Sequence, residues 1–99
     1  MKLVFSPEAD QDVDKIDAWW RENRLDAPRL FAEELAAVCD EILRKPLIFK
    51  PYCERDGVLV RRWLLRRTEQ HVYYEVDIEH DLVIVLRVWG ARRKRGPRL

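Results

Sequence analysis

Five side chains in the second half of the sequence are of types that bind phosphate and transfer protons. They are Arg61, Arg62, His71, Glu75 and Arg87. A histidine gains or loses a proton near neutral pH, a glutamate accepts one, and guanidinium groups bind phosphate oxygens. Together they suit acid–base chemistry at a phosphodiester. A structural interpretation stands beside this one, because Glu75 and Arg87 on adjacent strands would form a cross-strand ion pair.

A second group of charged residues follows the apolar stretch that ends at Trp89. It consists of Arg92, Arg93, Lys94, Arg95 and Arg98. We expect the preceding strand to place this basic tail, residues 90–99, near an open face of the domain. There it would meet an acidic protein segment or nucleic acid. A disordered tail that only improves solubility is the alternative.

The net charge of +1 conceals an asymmetry along the chain. Residues 1–40 hold ten acidic and five basic residues, for a net charge of −5. Residues 41–99 hold fourteen basic and eight acidic residues, for a net charge of +6. A basic second half indicates an anionic partner.

Length and composition predict one globular domain over residues 1–99, since 47% of the residues are hydrophobic and 37% are charged. No apolar run approaches the roughly 20 residues of a membrane span. The opening MKLVFSPEAD turns acidic too soon for a signal peptide. We therefore expect a cytoplasmic protein with no membrane partner.

Cysteine and histidine spacing gives no sign of a metal. Cys39 and Cys53 form neither a CxxC motif nor a disulfide framework, so we expect two reduced cysteines packed as small hydrophobic residues. Together with His71 and His80 they do not have zinc-site spacing. We expect neither a metal nor another cofactor.

The first half of the chain predicts a strand and two helices. Lys2 to Phe5 is a short apolar strand, and Ser6-Pro7-Glu8 signals a helix start, with a hydroxyl N-cap followed by proline. Asp26 is the expected N-cap of a second helix, which ends before Pro46. The buried faces at helical spacing are Ala9, Val13, Ile16 and Trp20, then Phe31, Leu35, Val38 and Ile42. A short turn between two such helices predicts an antiparallel hairpin.

The second half predicts an antiparallel meander after an irregular connection over residues 46–57. Its strands are Val58 to Leu65, His71 to Asp77 and Leu82 to Trp89. The last is nearly all apolar, as expected for a strand covered on both faces. We predict an α+β fold of order β-α-α-β-β-β, with the helical hairpin on one face of an antiparallel sheet. The other face carries His71, Tyr73, Glu75 and Arg87, together with either Arg61 or Arg62.

The element order, together with the segments VRRWLL, HVYYEVD and VIVLRVWGARR, resembles the RelE/ParE superfamily of bacterial toxins over essentially the whole chain. The resemblance implies the toxin of a type II toxin–antitoxin pair, neutralised by direct binding of a cognate antitoxin in a hetero-oligomer. In such pairs the antitoxin contributes a flexible segment that folds on the toxin, and the contacts must offset the cost of ordering it.

The superfamily has two kinds of target. ParE-like members inhibit DNA gyrase and are not themselves enzymes, whereas RelE-like members cut mRNA on the ribosome. The second activity would make Arg61, Arg62, His71, Glu75 and Arg87 catalytic residues, with a base, an acid and cations acting at the ribose 2′-hydroxyl and its phosphate.

RelE-like toxins resemble one another in an arginine after the last strand, which Arg92 or Arg93 matches, and in an aromatic residue near the end. This chain has no aromatic residue after Trp89. The resemblance therefore favours ParE-like inhibition of gyrase, with mRNA cleavage on the ribosome as the alternative. A degenerate toxin that only binds its antitoxin and represses transcription, and a non-toxic RNA-binding module, also remain open.

Overall fold

A five-stranded mixed sheet carries two helices on one of its faces. The computed structural model describes residues 1–99. The elements are β1 Lys2–Phe5, α1 Pro7–Asn23, α2 Leu30–Arg44, β2 Pro51–Arg55, β3 Val58–Leu65, β4 Gln70–Asp77 and β5 Leu82–Gly90. The strand order is β1-β5-β4-β3-β2, with β1 parallel to β5 and the other neighbours antiparallel. The predicted α+β fold, its helical hairpin and its meander are confirmed, but the sheet is mixed and has one more strand than predicted.

The start of α1 confirms the predicted cap. The Ser6 hydroxyl accepts a hydrogen bond from the Ala9 N–H at 3.0 Å, and Pro7 is the first helical residue. The same hydroxyl donates to the Leu86 carbonyl at 2.9 Å. One side chain therefore both caps α1 and ties it to β5.

The start of α2 differs from the prediction. The helix begins at Leu30 after Arg29, and no side chain caps it. Asp26 lies in the preceding turn, in which the Ala27 N–H donates to the Arg24 carbonyl at 3.0 Å. The prediction failed because Pro28 disfavours helical geometry at Ala27, so a helix cannot run on from Asp26.

The main core lies between the helices and the sheet. Its buried residues are Ala9, Trp20, Phe31, Leu35, Val38, Ile42, Leu65, Val72, Tyr74, Val83, Val85 and Val88. Val13 and Ile16 are partly buried and pack against this core. The predicted faces of both helices are thus confirmed, and they hold the hairpin on the sheet by apolar burial. Cys39 and Cys53 are unpaired thiols, as predicted.

Residues 46–57 contain a strand that the sequence did not predict. β2 pairs with β3 through a turn at Asp56 and Gly57, whose φ angles of 50° and 79° suit a two-residue hairpin. Pro51 begins this edge strand, where its missing N–H costs no ladder bond. The strand was not predicted because it is short and begins with a proline, although Asp-Gly before an apolar run is a hairpin signal.

A β-bulge interrupts the pairing of β4 with β5. Tyr73 pairs with Arg87 and Tyr74 with Val85, which leaves Leu86 as the extra residue. Bulges redirect side chains, and Arg87 here reaches α1.

None of the helices in the structure has the length and apolarity that crossing a membrane requires.

Candidate functional site

The sheet face opposite the helices, called here the far face, brings three predicted site residues together. Arg62 pairs with Tyr73, and His71 pairs with Leu64 across the β3–β4 ladder. Glu75 lies one step further along the same face of β4. Residues directly opposite each other in an antiparallel ladder share a face, so the alternation in the sequence correctly grouped these side chains.

A small apolar cluster occupies the middle of the far face. Val60, Tyr73 and Leu86 are buried there, and Cys53, Ile84, Trp89 and Leu99 pack against them. Tyr73 is only 2% exposed. The far face is therefore not the open polar surface that the sequence predicted, because residues beyond the last strand cover part of it.

The basic tail supplies that cover. The Trp89 Nε1–H donates to the Arg95 carbonyl at 2.8 Å, and the Arg87 Nη1–H donates to the Arg98 carbonyl at 3.3 Å. Leu99 packs on the apolar cluster. The chain therefore bends back over the far face, while the side chains of all five basic residues stay exposed.

Two arginines of the tail contact the body of the domain. The Arg92 Nε lies 3.0 Å from the Glu69 carboxylate. The Arg93 guanidinium lies 3.9 Å from the centre of the Trp89 ring, in cation–π geometry. These contacts fix where the tail leaves β5.

Arg61 does not join the far-face group. Its guanidinium donates to the Phe49 carbonyl at 2.7 Å on the helix side of the sheet. Phe49 stacks on Trp63 with ring centres 3.6 Å apart. Arg61 therefore holds the segment before β2 against the sheet, and Arg62 is the member of the pair that faces away from the helices.

Arg87 is occupied by an ion pair with α1. Its Nε and Nη2 donate to the two Asp12 carboxylate oxygens at 2.7 and 2.8 Å. Hydrogen bonding to Asp12 raises the pKa of Arg87 above its ordinary value. The predicted ion pair between Glu75 and Arg87 is wrong, since the Glu75 carboxylate instead lies 3.9 Å from Arg55 of β2, a strand that the prediction lacked.

His71 lies in a small cationic pocket at one end of the far face. The pocket has a volume of about 180 Å³ and is lined by Lys50, Pro51, Arg62, Leu64 and His71. Burial, and then the charge of Arg62, lower the pKa of His71 below 6.5. At neutral pH the imidazole is uncharged and can accept a proton. Sequence reasoning missed Lys50 because β2 was not expected beside β3.

A larger groove of about 790 Å³ lies between α1 and the end of β5, and we call it the α1–β5 groove. Its walls are residues 12–24 of α1, the turn at residues 67–70 and the start of the basic tail. No sequence pattern predicted this groove, because its lining comes from segments far apart in the chain.

Comparison with known proteins identifies the family. A family model described as the ParE toxin of type II toxin–antitoxin systems, parDE, matches residues 3–95. The chain belongs to the ParE toxin family. None of the curated proteins matches this ParE-family chain.

The solved structures similar to this ParE-family toxin include the RelBE2 toxin–antitoxin complex of Mycobacterium tuberculosis. The two chains are 25% identical, and the TM-score is 0.60. The match covers 90% of this chain and 95% of that one. The expected membership of the RelE/ParE superfamily is thereby confirmed.

Proposed function

We propose that this ParE-family toxin arrests growth by inhibiting DNA gyrase, and that its basic tail makes the decisive contact. The observation that carries the proposal is the position of the tail. Contacts from Trp89 to Arg95 and from Arg87 to Arg98 hold its backbone against the far face, so its charges have a defined place.

The charge of the tail supports an anionic partner surface. Arg92, Arg93, Lys94, Arg95 and Arg98 all have exposed side chains, and only Arg92 forms an ion pair within the chain. A cluster of exposed cations on an ordered segment attracts acidic protein surfaces and nucleic acid backbones. Gyrase offers both, because it is a protein that holds DNA.

Cleavage of mRNA on the ribosome is the second candidate, and the His71 pocket favours it. Lys50 and Arg62 would bind phosphate oxygens there, and the neutral imidazole of His71 would act as a base. Two observations count against it. Arg61 and Arg87 are occupied by structural contacts, and no aromatic residue follows Trp89.

The proposal includes neutralisation by an antitoxin that binds the toxin directly. Membership of a family defined by type II toxin–antitoxin systems supports this part, as does a similar solved structure that is itself a toxin–antitoxin complex. We infer a hetero-oligomer in which the antitoxin covers surfaces that the free toxin exposes.

Two assays on the purified, antitoxin-free protein separate the candidates. One measures plasmid supercoiling by gyrase, and the other measures mRNA cleavage on programmed ribosomes. We expect supercoiling to stop while the mRNA stays intact. Cleaved mRNA with normal supercoiling would contradict the gyrase proposal and assign the chemistry to the His71 pocket. A His71→Ala variant then tests that assignment, because it should abolish cleavage.

A further inference from the structure

The two ends of the sheet carry opposite charge. At one end, the turn of residues 66–69 joins β3 to β4, and residues 90–95 leave β5. They are neighbours, because Gln70 pairs with Leu65 on one side and with Gly90 on the other. The two segments hold six basic residues and one acidic residue, for a net charge of +5. We call their six cations the basic end of the sheet: Arg66, Arg67, Arg92, Arg93, Lys94 and Arg95.

The opposite end of the sheet is acidic. It consists of the turn between β2 and β3, residues 54–57, and the turn between β4 and β5, residues 77–81. These segments hold five acidic residues and one basic residue, for a net charge of −4 with His80 neutral. The whole chain has a net charge of only +1. The separation of charge therefore orients the molecule, and it presents the basic end to an anionic partner.

Hydrogen bonds hold the basic end in one arrangement. The Glu34 carboxylate of α2 accepts the N–H groups of Arg67 at 2.8 Å and Thr68 at 3.0 Å, and it accepts the Thr68 hydroxyl at 2.7 Å. The Ala91 N–H donates to the Glu69 carbonyl at 2.8 Å. The turn is thereby fixed to α2, and the start of the tail is fixed to the turn. The arginine and lysine side chains project from a backbone whose position is defined.

The composition of the basic end suits nucleic acid better than protein. None of the exposed large apolar side chains lies in residues 66–69 or 90–95, whereas protein interfaces have apolar and aromatic anchors at their centre. Interfaces with DNA are more polar and much more positively charged. The carboxylate of Glu69 does not cancel this charge. Its ion pair with Arg92 is exposed, at 49% and 82%, and exposed pairs are weak.

We propose that the basic end of the sheet binds the phosphate backbone of duplex DNA, so that the partner of the tail is the DNA held by gyrase. This inference rests on the proposed function, and it adds Arg66 and Arg67 of the turn to the contact made by the tail. A duplex fits a rigid surface built from two segments, because it presents one negative charge per roughly 1.7 Å of its axis in a fixed geometry.

The first test measures binding of the purified toxin to a fluorescein-labelled DNA duplex in the absence of gyrase. Fluorescence anisotropy gives the affinity for a duplex of about 20 base pairs at several salt concentrations. We expect log affinity to fall with log salt concentration at a slope of about −4 to −5, because each neutralised phosphate contributes about −0.9 and the basic end has five excess charges. An absence of binding at low salt, or a slope near zero, would overturn the inference.

The second test compares two double variants with equal change in net charge. Arg66→Ala/Arg67→Ala alters the turn and keeps the N–H that Glu34 accepts. Arg44→Ala/Lys45→Ala removes exposed cations where α2 ends, outside the basic end. We expect the turn variant to bind the duplex about tenfold more weakly than the control, with a slope less steep by about 2. Circular dichroism checks that both are folded. Equal affinity and slope in the two variants would contradict the inference.

A supercoiling assay on the same proteins separates the inference from the function on which it rests. A toxin that binds the duplex without inhibiting gyrase would contradict the proposed function and leave the DNA-binding surface in place. A toxin that inhibits gyrase without affinity for the duplex would contradict the inference alone, and an acidic surface of gyrase would then be the partner of the tail. Tighter binding to single-stranded RNA of about 20 nucleotides than to the duplex would also overturn the inference.

Discussion

At the residue scale, one carboxylate organises the junction between α1 and the end of β5. Asp12 accepts two hydrogen bonds from Arg87 and one from the Val88 N–H. Both charged side chains are less than one-fifth exposed, at 18% for Arg87 and 12% for Asp12. Desolvated partners depend on each other, because removal of one leaves the other buried without compensation.

We expect Asp12→Ala to lower the free energy of unfolding by about 2–4 kcal/mol, because it leaves Arg87 unpaired and the Val88 N–H without its acceptor. Asp14→Ala is the matched control, since Asp14 is an exposed aspartate on the same helix, and it should cost no more than about 0.5 kcal/mol. Urea unfolding of both variants is the measurement. Similar losses in the two would show that the Asp12–Arg87 pair has no special role.

The His71 pocket makes stability depend on pH. Burial and Arg62 lower the pKa of His71 from 6.5 in the folded protein, so the unfolded chain binds the proton more tightly. At high pH His71 is uncharged in both the folded and the unfolded chain, so it does not affect stability. Stability is lost as the pH falls through 6.5 toward the folded-state pKa of His71.

We expect the free energy of unfolding of a His71→Gln variant to fall less than that of the wild-type protein between about pH 7 and pH 5. Urea unfolding across this range measures the difference. His80→Gln is the control, because His80 lies outside the pocket, near Asp77, and leaves the contribution of His71 in place. A steeper loss of stability in His71→Gln than in the wild-type protein would show that the sign is wrong.

At the element scale, periodic patterns predicted most of the fold. The apolar spacing of both helices and the alternation in β4 identified the core-facing side chains. Such positions recur about once per turn in a helix and at every second residue in a strand. Two features of the sheet were not predicted. β2 is short and starts at a proline, and the parallel pairing of β1 with β5 joins the two ends of the chain, which no local pattern encodes.

We expect Leu35→Ala to lower the free energy of unfolding by about 2–4 kcal/mol, because it removes buried methyl groups and leaves a cavity under α2. Leu35 is 6% exposed. Leu25→Ala is the control with the same chemical change, and it should have almost no effect, because Leu25 is 82% exposed in the turn between the helices. Thermal unfolding of the two variants is the measurement, and equal shifts in Tm would contradict the assignment of Leu35 to the core.

At the scale of the whole molecule, the candidate site was predicted in part. Alternation along β4 correctly placed His71 and Glu75 on one face with a neighbouring arginine. The sequence predicted that the basic tail lies near this face, but it did not predict the course of the tail backbone, which depends on single contacts such as Trp89 to Arg95 and on the packing of Leu99. Those contacts decide whether the charges form a defined surface or a diffuse one.

The most direct test of the central claim is inhibition of gyrase supercoiling by a tail variant. Arg92→Ala/Arg93→Ala is compared with Arg44→Ala/Lys45→Ala, which removes an adjacent pair of exposed cations at the end of α2. Both lower the net charge equally, so any difference reports a role of the tail and not the change in net charge. We predict that the tail variant needs about tenfold more protein for half-inhibition than the control, with the fold of both intact by circular dichroism. Equal inhibition by the two variants would contradict the assignment of the basic tail to gyrase.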